Sequence, residues 1–218
     1  MRIIIQCAAS KDPSAGTFMT PDGHLVQFVS SPELAPRNPA LTHARPDDAS
    51  GDGRTWRQRL LLYNDDREDS NALGMLPAYR LYRHPVFREL VDRFGLAEVF
   101  ILSAGWGLIP AGFLTPSYDV TFSTQAAPWT RRRNRDAFAD FSLLPDDGRD
   151  IIFVGGKAYR PLLYALTARH RGRRSVLYNA ASRPELPPGF NGIRYHTAKR
   201  TNWHYEAARS LIAGEIAL

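Results

Sequence analysis

VFILSAGWGLIPAGFLTPSYDVTFS, residues 99–123, decides how this chain is read. Val99 to Leu102 read as an apolar strand that runs straight into Ser103-Ala104-Gly105-Trp106-Gly107. Glycine lets backbone approach a ligand closely, so a strand ending in this turn is expected to build one wall of a concave site from Ser103, Gly105, Trp106 and Gly107. Tyr118-Asp119 is expected to lie exposed at the far end of the same stretch. The competing reading is a tight strand-to-helix connection around a buried Trp106.

Working outward, RIIIQCAA (residues 2–9) is a β-branched run closed by Ser10-Lys11-Asp12-Pro13, a buried strand followed by a loop. Residues 24–30 suggest a second strand, and 32–53, rich in Pro, Asp, Ala and Gly, a long surface loop. Helical patterns cover Thr55 to Tyr63 and Pro77 to Phe94, the latter stopped by Gly95. Pro128 to Phe141 reads as a basic helix, Asp150 to Val154 as a strand opening into Gly155-Gly156-Lys157, and 157–170 as another helix. Ser175 to Tyr178 and Ile193 to His196 are short strands, and Asn202 to Ile216 a closing amphipathic helix. This alternation predicts one three-layer α/β domain over residues 1–218 with a mainly parallel central sheet. In such sheets ligands sit beyond the strands' carboxyl ends. The loops Cys7 to Asp12, Ser103 to Gly107, Gly155 to Lys157 and Asn179 to Ser182 should therefore share a pocket.

The 218 residues carry 28 Lys and Arg against 22 Asp and Glu, a formal charge of +6, which favours a polyanionic partner. Only Lys11, Lys157 and Lys199 are lysines. The cations cluster at Arg131, Arg132, Arg133 and Arg135, at Arg169 to Arg174, and at Arg194, His196, Lys199, Arg200 and His204, which points to nucleic acid. Cys7 is the single cysteine, so an internal disulfide is excluded and a small buried strand-end residue is its plainest role. No stretch approaches a membrane span, and a soluble, cytoplasmic protein is expected. The six histidines contain no H-x-x-x-H pair, so no metal is indicated, and no cofactor either.

ILSAGWGLIPAGFLTPSYDVTFS resembles the YaaA-like family of DNA-binding, peroxide-stress-associated proteins: an apolar strand, Leu-Ser, a small residue, an aromatic, Gly-Leu, Pro, then Pro-Tyr. The CAASKD turn, the LYRHPVF helix and NAAS at 179–182 are weaker echoes, and together they span about half the chain in order. The resemblance implies a compact α/β fold with a basic DNA-binding cleft. It also implies a small pocket similar to those of uracil-DNA-glycosylase-like enzymes, with Ser103, Gly107, Tyr118, Lys11 and Asn179 as pocket residues. The chain departs from the better known members in its 32–53 loop and in lacking their extended middle region, so a helix-hairpin-helix contact made by that region is not carried over. It also lacks the Gln-Asp-Pro-Tyr signature of uracil glycosylases.

Cleaving an N-glycosidic bond builds positive charge on the sugar, so a carboxylate near the anomeric carbon and donors to the departing base are required. Asp119 is the first choice for the carboxylate, with a turn or cap role as its alternative, and Asp12 is the reserve. Lys11, beside Ser10, can contact a phosphate or donate to the base; a Schiff-base amine is conceivable but Lys157 and Lys199 compete for it. Asn179, with Ser182 in the same loop, suits reading one edge of a flipped base, and Trp106, Tyr118 and Trp203 are stacking candidates. Arg131, Arg132, Arg133, Lys157, Tyr159, Lys199 and Arg200 are the expected phosphate contacts. Gly155-Gly156-Lys157 lacks the rest of a phosphate-loop motif, and Ser103 lacks a hydrolase elbow. The expected function is excision of a modified or damaged base from double-stranded DNA, in repair or anti-phage defence, with no membrane or obligate protein partner. A non-catalytic DNA-binding stress protein and an enzyme acting on free nucleosides or nucleotides are the rivals.

Overall fold

Ile3, Ile4 and Ile5 are each fully buried, a run that only a strand covered on both faces accommodates. The computed structural model describes residues 1–66 and 71–216. Its elements in chain order are β1 (Arg2–Gln6), β2 (Leu25–Val29), β3 (Leu41–Ala44), α1 (Trp56–Asp65), β4 (Leu76–Pro77), α2 (Ala78–Leu81), α3 (Val86–Phe94), β5 (Val99–Ser103), β6 (Gly107–Pro110), β7 (Leu114–Thr115), β8 (Tyr118–Asp119), β9 (Phe141–Ser142), β10 (Ile151–Val154), α4 (Arg160–Leu166), β11 (Arg174–Tyr178), β12 (Phe190–Arg194) and α5 (Trp203–Ile212). Seven strands form the central sheet in the order β12-β11-β10-β1-β5-β6-β9, all pairs parallel except β5 with β6. Helices α3 and α5 pack on each other and on β5 and β10, while α4 packs on β6, giving the expected three-layer α/β architecture.

The order places the site. From β1 the chain builds outward through β5, β6 and β9, then returns to the other side of β1 for β10, β11 and β12. The strand order therefore reverses between β1 and β10, where parallel sheets open a crevice at their carboxyl ends.

Three sequence expectations fail locally. The 32–53 segment is not all loop: β3 pairs in parallel with β2, and Ala44 and Ser50 are buried. The helix expected over 77–94 is two, because Pro85 has no N–H to continue the ladder; α2 stops at Leu81 and α3 begins at Val86. Pro128 to Phe141 is not helical; Arg131 instead bridges to Thr121, and Phe141 enters β9.

The decisive stretch also turns differently. Ser103 leads into a hairpin, β5–β6, rather than towards a helix, and Gly107 carries it with φ of 89°. A Cβ there would meet the backbone nitrogen of Phe141 at 2.6 Å, so this glycine serves strand packing, not a ligand.

Candidate functional site

The SAGWG turn is core. Trp106 is fully buried, edge-on to Phe28 with ring centres 5.0 Å apart. The Arg57 guanidinium closes over it, donating from Nη1 to the Trp106 carbonyl and from Nη2 to the Gly105 carbonyl, each at 3.0 Å. Trp106 and Gly105 are therefore sealed from any ligand, contrary to the expectation that they line the pocket. Ser103, also fully buried, caps its own turn by accepting from the N–H groups of Gly105 and Trp106 at 3.2 and 3.1 Å.

Behind that turn lies a chain of hydroxyls. Ser103 Oγ donates to the Tyr118 hydroxyl at 2.8 Å, and Tyr118 and Tyr82 share a bond of 2.8 Å. Tyr118 is 2 % exposed, not open as its sequence context suggested, because β8 pairs with β2 and draws the ring inward. The Cys7 thiol takes the Ala104 N–H at 3.4 Å and meets the Tyr159 hydroxyl at 3.2 Å. Burial holds Tyr82, Tyr118 and Tyr159 well above the ordinary phenol pKa, so all three stay protonated.

Lys11 rests on this network. Its backbone bridges to Tyr82, and its Nζ lies 4.1 Å from the centre of the Tyr118 ring and 3.4 Å from the Ala9 carbonyl. Burial lowers its pKa, against the opposing charges of Cys7 and the half-buried Asp119. Asp12, the reserve carboxylate, is spent on its own turn, accepting from Ser14 N at 2.9 Å and Ser14 Oγ at 2.7 Å.

The open space sits at the β1–β10 boundary. A cavity of about 400 Å³ is lined by Gln6 to Ala9, by Thr121 to Ser123, by Gly156 to Tyr159, and by Asn202, His204 and Tyr205. A second cavity of about 540 Å³ shares Asn202 and Tyr205 and reaches Lys199 and Arg209. The volume suits a base or nucleoside. Phe122, Tyr159 and Tyr205 supply its aromatic faces in place of Trp106, Tyr118 and Trp203; Trp203 is buried against Tyr195.

One residue's state in this cavity follows from hydrogen-bond logic alone. The Gly156 N–H donates to Gln6 Oε1 at 2.6 Å, which fixes the amide so that Nε2 is a donor. That donor lies 3.3 Å from His204 Nε2, which must accept, so the imidazole proton sits on Nδ1. Burial and the charge of His84 lower the His204 pKa to about 4, consistent with a neutral ring. His204 thus lines the cavity, and its Nδ1–H has no protein acceptor among the described residues.

Asn202 is equally specific. It starts α5 with φ of 55°, the only non-glycine with positive φ among the described residues. Asn tolerates this left-handed geometry better than most residues, and the resulting turn brings the first turn of α5 to the cavity.

The basic clusters divide. Arg132 is buried, bonded to the Ala104 carbonyl and bidentate on Asp140, so it holds the core together and binds no phosphate. Arg171, Arg173 and Arg174 are tied to Asp146, Asp150 and the carbonyls of Thr167 and Ala168 near the amino ends of β10 and β11, opposite the cavity. Lys157 and Arg133 are exposed and Arg131 half-buried beside the cavity residue Thr121. Lys199 is exposed and 3.1 Å from Glu206, and Arg200 is exposed next to it.

Of the expected site residues, the structure brings Lys157 and Tyr159 into the cavity wall and Lys199 into its neighbour. Tyr159 faces Cys7 with its hydroxyl, so it is no phosphate donor. Lys11, Ser103, Tyr118 and Asp119 gather beside the cavity through Cys7 and Ala9; Asn179 instead donates to the Lys199 carbonyl at 3.3 Å, and Ser10 and Ser182 are exposed. Sequence reasoning missed Gln6, Phe122, Asn202 and Tyr205, and counted His204 only as a basic residue. Two signals were available: Gln6 is a polar residue ending an apolar strand, and Asn202 precedes a helix that the pattern already showed.

No family model, curated protein or solved structure matches the chain. Among the described residues, no helix is long and apolar enough to cross a membrane, and no three His, Cys, Asp or Glu side chains converge to hold a metal ion.

Proposed function

We propose that the chain is a DNA-binding enzyme that turns a nucleotide out of the duplex and hydrolyses its N-glycosidic bond, releasing a modified or damaged base in the cytoplasm. The observation that carries this reading is the neutral His204 donor, locked by Gln6, on the wall of a base-sized cavity with aromatic faces. In the reaction the C1′–N bond breaks and the base leaves with its electron pair. The oxygen of a water molecule bonds to C1′, and the proton passes to the base. The His204 Nδ1–H then stabilises charge developing on the base, and the Asp119 carboxylate, two residues before the cavity residue Thr121, opposes the positive charge on the sugar. Extruding the nucleotide costs a few kcal/mol, which contacts from Lys157, Arg131, Arg133, Lys199 and Arg200 to phosphates offset.

The test is mass spectrometry of free bases released from duplexes carrying ordinary, damaged and phage-type modified bases, with Asp119→Asn and His204→Ala as controls. Release of one base by the native protein, lost in both controls, is the expected outcome. Salt-sensitive binding without release from any duplex overturns catalysis and leaves a DNA-binding protein. Release from free nucleosides that survives Arg131→Glu with Arg133→Glu overturns the DNA substrate instead.

A further inference from the structure

We propose that Lys11 is a nucleophilic amine that captures the aldehyde of an abasic deoxyribose in DNA, giving this site a strand-cleaving activity. The inference rests on the reading of the cavity as a base-excision site, and extends it to the sugar left behind.

The three lysines are not equivalent. Lys157 is exposed on the cavity wall, and Lys199 is held by Glu206 at 3.1 Å. Lys11 alone is folded down onto the protein, clamped by its bridge to Tyr82 and by the Asp12 N–H bonded to the Leu81 carbonyl at 2.8 Å. Its Nζ is spread between the Tyr118 ring and the carbonyl of Ala9, and Ala9 is itself part of the cavity wall. The amine therefore stands one residue from the space where the excised base leaves its sugar. Burial makes it easier to deprotonate than an exposed lysine, which a guanidinium at this position would never achieve. In a chain with 28 cations and only three lysines, the cation resting against these phenols among the described residues is a lysine.

The chemistry balances without a co-reactant. The Nζ lone pair bonds to the C1′ aldehyde carbon, and the carbinolamine loses water to give a protonated imine. The imine draws electrons from C2′, whose proton passes to the Asp119 carboxylate, and the C3′–O bond breaks with its pair leaving on the 3′-phosphate. Water on the imine then returns the free amine.

The experiment uses the full chain and a duplex with one preformed abasic site, at low salt with cyanoborohydride, which reduces an imine to a stable secondary amine. The native protein should form a covalent adduct that peptide mapping places on Lys11. Lys11→Arg, which keeps the charge over Tyr118, should bind the duplex within about twofold of native yet lose at least tenfold in adduct. Adduct yield should rise with pH through a midpoint below the ordinary lysine value of 10.5. An adduct undiminished in Lys11→Arg, mapped elsewhere, or absent from the native protein overturns the proposal. Because the abasic site is supplied ready-made, an adduct without base release from any duplex sinks the excision reading alone, and base release without an adduct sinks the amine alone.

Discussion

The β5–β6 hairpin and the cavity at the β1–β10 boundary are built from opposite materials. The hairpin comes from twelve consecutive residues, Val99 to Pro110, whose small and aromatic side chains resemble a ligand wall and are packed as core. The cavity's defining relay joins Gln6, Gly156 and His204, the last two 150 and 198 positions from the first. Glycines and a tryptophan close together in sequence therefore mark tight packing as readily as a site. Donors with a fixed proton mark a site even when the sequence scatters them.

The largest effects should fall on the side of the contrast that looked functional. Trp106→Ala should cost about 3 to 5 kcal/mol in denaturant unfolding while leaving DNA affinity per folded molecule unchanged. A stable Trp106→Ala protein that has lost ligand binding would overturn the assignment of this turn to the core. Arg132→Ala should be of the same order, about 3 to 5 kcal/mol, because Asp140 would be left buried and unpaired. Arg133→Ala, one position on and exposed, should shift stability by no more than about 0.5 kcal/mol and weaken DNA binding instead. Equal stability losses in the two variants would dissolve the division within that cluster.

The cavity side is sharpened by pH. His204 titrates at about 4 in the fold against an ordinary value of 6.5, so between those values the unfolded chain binds more protons. Its contribution is fully present above pH 6.5 and is lost as pH falls through 4, about 3 kcal/mol in all. Unfolding followed at several pH values should show this slope in the native protein and lose it in His204→Gln; a slope retained in the variant would place the titration elsewhere. At Asn202 glycine relieves a φ of 55° and should stabilise the fold by no more than about 1 kcal/mol. Lost base release in that stable variant would assign the Asn202 side chain to the ligand, whereas unchanged release would leave it a hinge for α5.

Much of the fold was legible because its signals are local. Apolar runs at 2–6, 99–103 and 151–154 announced the central strands, and the helical pattern from Thr55 announced α1, which the structure starts with a Thr55–Gln58 capping box. Gly95, with φ of 88°, ended α3 as expected. The failures have equally local causes: Pro85 splits a pattern whose apolar spacing ran straight through it, and Arg131 to Arg133, helical by composition, are pinned by pairing with Thr121 and Asp140. The site was legible only as a place, the carboxyl ends of the strands. Its chemistry depends on which donor meets which acceptor across the sheet, and Gln6 gives no hint in sequence that an amide from residue 156 will orient it.

Because the relay couples the first strand to the last helix, the cavity does not exist on a partly made or partly unravelled chain. A molecule clipped or stalled before Asn202 lacks the cavity wall that Asn202, His204 and Tyr205 supply. Anything that binds there bridges β1 and α5. Occupancy should therefore slow proteolysis along the whole length of the chain, with protection spreading far beyond the residues in contact.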